Sequence, residues 1–270
     1  LIGIVFLVFT MMYLSPGDPA KLMLGDRAPE EQVAALRHEL GLDIPYYQQL
    51  FNYIKKAMHG DFGNSYQLRM PVWDIIKLRF PLTLQLTTFT MLIAVLIGVP
   101  VGILSAVKQY SVIDAFSVIF ALLMASIPAF WLGMLLMLLF SLNLGWLPSS
   151  GYEGVKWLIL PSITLGFINC ATIMRMTRSS MLEVVRQDFI RTARAKGATE
   201  KRVVFRHALK NAIIPVITVV GTAFGSSLGG AVVTETVFGL PGMGTQIITA
   251  IRQKDNPVVL ASVIVIALAF

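Results

Sequence analysis

Six uncharged apolar runs constrain this chain more than any motif it carries: Leu1 to Leu14, Leu82 to Val107, Ala115 to Leu142, Trp157 to Met174, Ala212 to Thr234 and Asn256 to Phe270. A helix needs about 20 apolar residues to cross some 30 Å of hydrocarbon. The four inner runs are of that order. The two terminal runs are shorter and read as helices cut by the ends of the given sequence. Only 14% of the 270 residues are charged, against about 25% in an ordinary soluble domain, so too little polar chain remains to wrap six buried helices. An ordinary soluble globular fold is excluded, and the expected fold is an all-α polytopic membrane protein with six transmembrane helices. A secretory leader is the competing reading of Leu1 to Leu14. No small-residue cleavage site follows it, and the run ends in the turn-forming string Ser15, Pro16, Gly17, Asp18, Pro19.

The charges then orient the helices, because loops rich in Lys and Arg stay in the cytoplasm. The net charge is +7, and the segment from Arg175 to Lys210, with ten basic and three acidic residues, carries that whole excess. Residues 15–81 hold eight of each sign and balance. The connections between the other runs balance as well: Lys108 with Asp114, Glu153 with Lys156, and Glu235 and Asp255 with Arg252 and Lys254. The basic loop, 175–211, is therefore expected inside, with the N-terminus inside and residues 15–81 outside. The excess is a topology signal and not a nucleic-acid footprint. Within 15–81, Glu30 and Glu31 followed by Val33, Leu36 and Leu40 predict an amphipathic helix closed by Gly41, and Tyr46 to Met58 predicts another closed by Gly60. The one cysteine, Cys170, lies in an apolar run and leaves no intrachain disulfide to form.

No Asp, Glu, Lys, Arg or His occurs inside the six runs, whereas proton-coupled carriers mark their path with such groups. A proton relay is not predicted, although sodium coupling through carbonyls and hydroxyls stays open. No Gly is followed by Lys, so the chain has no P-loop of its own. Gly225, Ser226, Ser227, Leu228 and Gly229 fit G-x-S-x-G, but a nucleophile elbow needs a strand-to-helix turn, and His38, His59 and His207 lie outside the runs. Gly221, Gly225 and Gly229 at four-residue spacing instead predict a small-residue helix-packing face. Pro100, Pro128, Pro161 and Pro215 predict kinks, the first flanked by Gly98 and Gly102. A catalytic site and a metal site are not expected, and the substrate path is not assigned.

The basic loop is the most informative stretch. Phe189, Ile190, Ala193 and Gly197 share one face of a short helix, while Arg191, Arg194 and Lys196 spread over the other. Gly197 can close that helix in the left-handed conformation, and Thr199 is placed to cap the next one. From periodicity alone, a solvated loop touching anionic lipid stands level with a docking helix.

The run from Arg191 to Gly197, followed twelve residues later by Leu209, resembles the coupling loop of bacterial ABC-importer permeases, E-A-A, three residues, G, nine residues, I-x-L-P. Ala193, Gly197 and Leu209 fill the second Ala, the Gly and the Leu; Arg191, Thr192, His207 and Lys210 stand at the Glu, first Ala, Ile and Pro positions. The strings TRSSMLEV from Thr177, DFIRTARAKG from Asp188, PGDPA from Pro16, GDFGNS from Gly60, NAIIPVITVVG from Asn211 and PGMG from Pro241 are similar to the dipeptide, oligopeptide, glutathione and nickel permeases in particular. The resemblance implies a six-helix permease subunit of the type I importer fold over residues 82–270, in the bacterial cytoplasmic membrane. It implies a second, homologous permease, two cytoplasmic ATPase subunits holding ATP and magnesium, and an extracytoplasmic peptide-binding protein as partners, and no cofactor in this chain. Asp188, Arg191, Thr192, Ala193, Arg194, Lys196 and Gly197 would then meet an ATPase subunit. Di- or oligopeptides are the substrate class implied, glutathione or a nickel complex the alternative. A stand-alone sodium-coupled carrier or channel is a further alternative, separable by uptake without nucleotide.

Overall fold

A computed structural model describes residues 2–25 and 27–270. Its regular elements among these residues are helices, and they fall into two compact units, Leu1–Thr83 with Pro241–Phe270, and Leu84–Leu240.

The first unit holds α1 (Ile2–Leu14), α2 (Pro19–Leu24), α3 (Glu30–Glu39), α4 (Tyr46–Met58), the start of α5 (Val72–Val107), α12 (Met243–Arg252) and α13 (Asn256–Ala269). The two helices expected in 15–81 form over nearly the expected residues, and α2 adds a third, short one, capped by the Asp18 carboxylate accepting from the Ala20 N–H at 3.0 Å. Helix α4 lies on α1 through edge-on rings, Tyr46 against Phe9 at 5.6 Å and against Tyr13 at 5.0 Å. The core joins Val72, Ile75 and Ile76 of α5 to Met243 and Ala250 of α12 and to Val258, Val259 and Ala261 of α13. Helix α5 therefore begins ten residues before the uncharged run. Asp74 and Lys77 stand on its exposed side and leave the apolar face continuous. Asp255 is buried just before α13 and accepts from Ser65 Oγ, from the Tyr66 N–H at 3.1 Å and from the Gln67 N–H at 3.4 Å. The turn at 65–67 is thereby fixed to α13.

The second unit is built around α8 (Lys156–Val185), the helix with the largest share of buried residues. Around it pack the rest of α5, α6 (Val112–Ser126), α7 (Ala129–Met137) with its π-helical continuation over Leu138–Asn143, and α11 (Leu209–Val237). Short helices α9 (Asp188–Ala195) and α10 (Glu200–Arg202) precede α11, with a π-helical turn at Val203–Ala208.

The kink expected at Pro128 in the run Ala115 to Leu142 is a full break: α6 and α7 meet at 101°. Pro128 has no N–H to continue the ladder, and Ile127 before it adopts an extended ψ of 127°, as residues preceding proline prefer. Pro161 and Pro215 stay inside continuous helices. Among the described residues, three helices are long and apolar enough to cross a membrane, or four if the bent pair counts as one span; α1 and α13 are apolar but shorter. Residues 175–185, assigned to a loop by their charge, continue α8 for about three turns. Charges at a span's end do not stop a helix whose other face remains apolar.

Candidate functional site

Helix α9 stands at the end of the second unit where the basic residues concentrate. Only eight residues long, it is too short to persist on its own, since isolated helices of fewer than about 12 residues are marginal in water. Ile190, fully buried, anchors it in a cluster with Ile103 and Ala106 of α5, Met181 of α8, and Val203, Val204, Ala208 and Ala212 on the approach to α11. Ala193, one turn on, is the other buried residue of the helix. Phe189, expected on that face, is exposed.

The opposite face is open and cationic. Arg191 is exposed and lies 3.8 Å from the Asp188 carboxylate, and the Thr192 hydroxyl donates to the Asp188 carbonyl at 3.0 Å. Arg194 reaches across the following turn to Glu200, Nε to Oε1 at 2.7 Å and Nη2 to Oε2 at 3.2 Å, and those bonds hold its pKa above the ordinary value. Lys196 is exposed. Gly197 has φ of +78°, the left-handed closure expected of it, while its N–H donates to the Arg194 carbonyl at 2.9 Å and that of Ala198 to the Ala193 carbonyl at 3.2 Å. A side chain at Gly197 would meet nothing within 4 Å, so glycine is present for its backbone freedom and not for want of space. Thr199 does precede the next helix, but its hydroxyl makes no capping bond. The structure thus brings Asp188 to Gly197 together as one two-faced element.

The glycine face on α11 lies elsewhere. Gly225 is buried, whereas Gly221 and Gly229 have nothing within 4 Å of an added Cβ. The close approaches between this chain's own helices occur at other glycines. A Cβ on Gly102 would lie 2.7 Å from the Met174 carbonyl oxygen, one on Gly98 3.0 Å from the Cys170 carbonyl oxygen, and one on Gly166 2.9 Å from Ile93. Gly98 and Gly102 flank Pro100, and their role is to let α5 touch α8. The G-x-S-x-G string sits inside uninterrupted helix, where Ser227 Oγ accepts from Asn169 Nδ2 at 3.3 Å; it forms no elbow. No cluster of His, Cys, Asp and Glu able to hold a metal occurs among the described residues.

One constellation escaped the sequence reading. Asp114, at the start of α6, is buried and accepts a two-pronged bond from Arg178 of α8, Nε to Oδ1 at 2.7 Å and Nη2 to Oδ2 at 2.9 Å. Net charge alone balances Asp114 against Lys108, six positions before it. A carboxylate in the first turn of a helix, with TRSS far downstream, gives no signal of the pairing.

An all-helical chain with several helices apolar enough for a membrane and a positively charged, docked helix between two of them defines a multi-pass membrane protein with a specialised loop. The chain belongs to the family described as "Binding-protein-dependent transport system inner membrane component", which matches residues 98–270, and residues 1–87 match that system's membrane-component N-terminal family. It is 42% identical to the dipeptide transport system permease protein DppB of Alkalihalophilus pseudofirmus, over 100% of this chain and 90% of that protein. Its identity to the Escherichia coli K12 protein of the same name is 43%, over 98% and 88%. The E. coli K12 glutathione transport system permease protein GsiC is 44% identical over 98% and 86%. Among solved structures, the inward-facing MetNI methionine ABC transporter superposes with a TM-score of 0.57 at 22% identity, covering 72% of this chain and 90% of that one. An amino acid ABC transporter solved with histidines gives 0.57 at 17%, over 73% and 89%. Both superpositions show a shared fold.

Proposed function

We propose that the chain is the permease subunit of an ATP-driven importer that moves di- or oligopeptides across the cytoplasmic membrane. It would pair with a second, homologous permease, receive substrate from an extracytoplasmic binding protein, and take its energy from two cytoplasmic ATPase subunits that hold the nucleotide and magnesium. The single observation that carries this reading is α9: Ile190 and Ala193 bury one face in the unit, and Arg191, Arg194 and Lys196 leave the other free for a partner. A helix anchored in that way moves with the bundle, so a push on its open face is passed on rather than absorbed. The +7 in 175–210 supports a cytoplasmic position for α9, with residues 15–81 on the far side. The exposed glycines Gly221 and Gly229, beside exposed Ile214 and Ile217, give α11 a surface suited to close packing against the second permease.

The test is uptake of a labelled dipeptide into proteoliposomes. The complete assembly should accumulate it only with ATP on the ATPase side, and this chain reconstituted alone should not. Accumulation against a gradient by the chain alone, without nucleotide, overturns the proposal.

A further inference from the structure

The Asp114 and Arg178 pair lies between the helix that would receive the push and the helices that would move. Asp114 stands in the first turn of α6. Its Oδ1 accepts from Arg178 Nε and, at 2.5 Å, from Ser105 Oγ near the end of α5; its Oδ2 accepts from Arg178 Nη2 and, at 3.0 Å, from the Tyr110 N–H in the α5–α6 turn. Tyr110 holds a φ of +64°, a conformation disfavoured for a bulky residue, and its side chain is exposed, so its backbone is held for that bond. One carboxylate therefore gathers the end of α5, the turn, the start of α6 and α8. Arg178 is two turns before the end of α8, and Met181, one turn on from it, touches the cluster that buries Ile190 of α9. Ile103 and Ala106, either side of Ser105, belong to the same cluster.

Apolar contacts hold helices together but let them slide, whereas a planar two-pronged guanidinium–carboxylate bond fixes direction and register. Buried ion pairs are seldom more stabilising than apolar residues of similar volume, so stability alone gives little reason for this one. We infer that Asp114 and Arg178 are positioning residues for transport: they form the clamp that makes α5, α6 and α8 follow α9 as one body when the ATPase subunits close. The inference rests on the reading of α9 as the coupling element, and its test separates the two.

The complete assembly is prepared with three variants, and uptake per ATP hydrolysed is measured for each. Asp114→Leu with Arg178→Met fills the site with apolar side chains and removes the fork. Arg178→Lys keeps the charge and the fold but loses the two-pronged geometry. Gly197→Val perturbs α9 and leaves the clamp alone. If the pair clamps, both clamp variants fall below about half of the wild-type ratio, the scale on which residues along a coupling route act. A ratio above half in either one overturns the clamp, and Arg178→Lys gives that answer even if the apolar pair fails to assemble. A purely structural pair would be rescued by the apolar replacement. Unimpaired uptake in Gly197→Val would instead remove the coupling reading itself.

Discussion

Replacing Ile190 by alanine isolates what holds α9 in place. Ile190 is fully buried and Ala193 is the only other buried residue of the helix, so the isoleucine supplies most of its apolar anchorage. Truncating a fully buried isoleucine costs about 2–5 kcal/mol. Because α9 cannot persist detached, that cost falls on its local docking rather than on the whole fold. At about 1.4 kcal/mol per factor of ten, even 2 kcal/mol raises the undocked population about 30-fold. The amides that report it are those of Lys196, Gly197 and Ala198, which donate to the carbonyls of Thr192, Arg194 and Ala193. Their hydrogen exchange, followed by mass spectrometry on the purified protein, should accelerate by about 30-fold or more, with amides in the middle of α8 unchanged. Exchange at 196–198 that stays at the wild-type rate would refute the argument that Ile190 burial seats the helix.

Three further outcomes follow from the same geometry. A cysteine at exposed Thr199, in a Cys170→Ala background, should react with a membrane-impermeant thiol reagent only from the cytoplasmic side; labelling in intact cells would reverse the orientation. Gly102→Val forces a side chain against the Met174 carbonyl 2.7 Å away and should lower the thermal midpoint of the purified chain by several degrees, in line with an overpacking cost of about 1–3 kcal/mol; an unchanged midpoint would mean α5 and α8 do not touch there. Gly229→Leu, with open space around it, should leave that midpoint alone and reduce co-purification of the second permease; undiminished pairing would take the α11 glycine face out of the interface.

What the amino-acid order reveals and what it hides follow from the range of the interactions. The uncharged runs are helical over most of their described residues because unbroken apolarity is written locally, and the left-handed turn at Gly197 was equally legible because only the residue itself sets that preference. The start of α5 was not, since Asp74, Lys77 and Arg79 interrupt the run while Val72, Ile75 and Ile76 keep its buried face. The bend at Pro128 was visible as a proline, but Pro161 and Pro215 carry the same signal and leave their helices unbroken; packing decides between those outcomes. Gly98 and Gly102 looked like companions of a kink and prove to be contact points with α8, 70 or so residues away. The Asp114 and Arg178 pair is the clearest loss. Sixty-four positions separate the two, and neither residue is unusual where it stands.

If the segment from Asp188 to Gly197 passes the ATPase stroke to the membrane helices, Gly197→Val interrupts that transfer. Valine at a φ of +78° costs about 1–2 kcal/mol in backbone strain and deforms the end of α9 where it would meet the ATPase subunit, without touching any buried neighbour. In the reconstituted assembly, binding-protein-stimulated ATP hydrolysis and dipeptide uptake are measured together, with membrane insertion and binding-protein docking as controls. Hydrolysis and uptake should fall together while insertion and docking survive. Transport at the wild-type rate would reduce the segment to a topology signal without a coupling role.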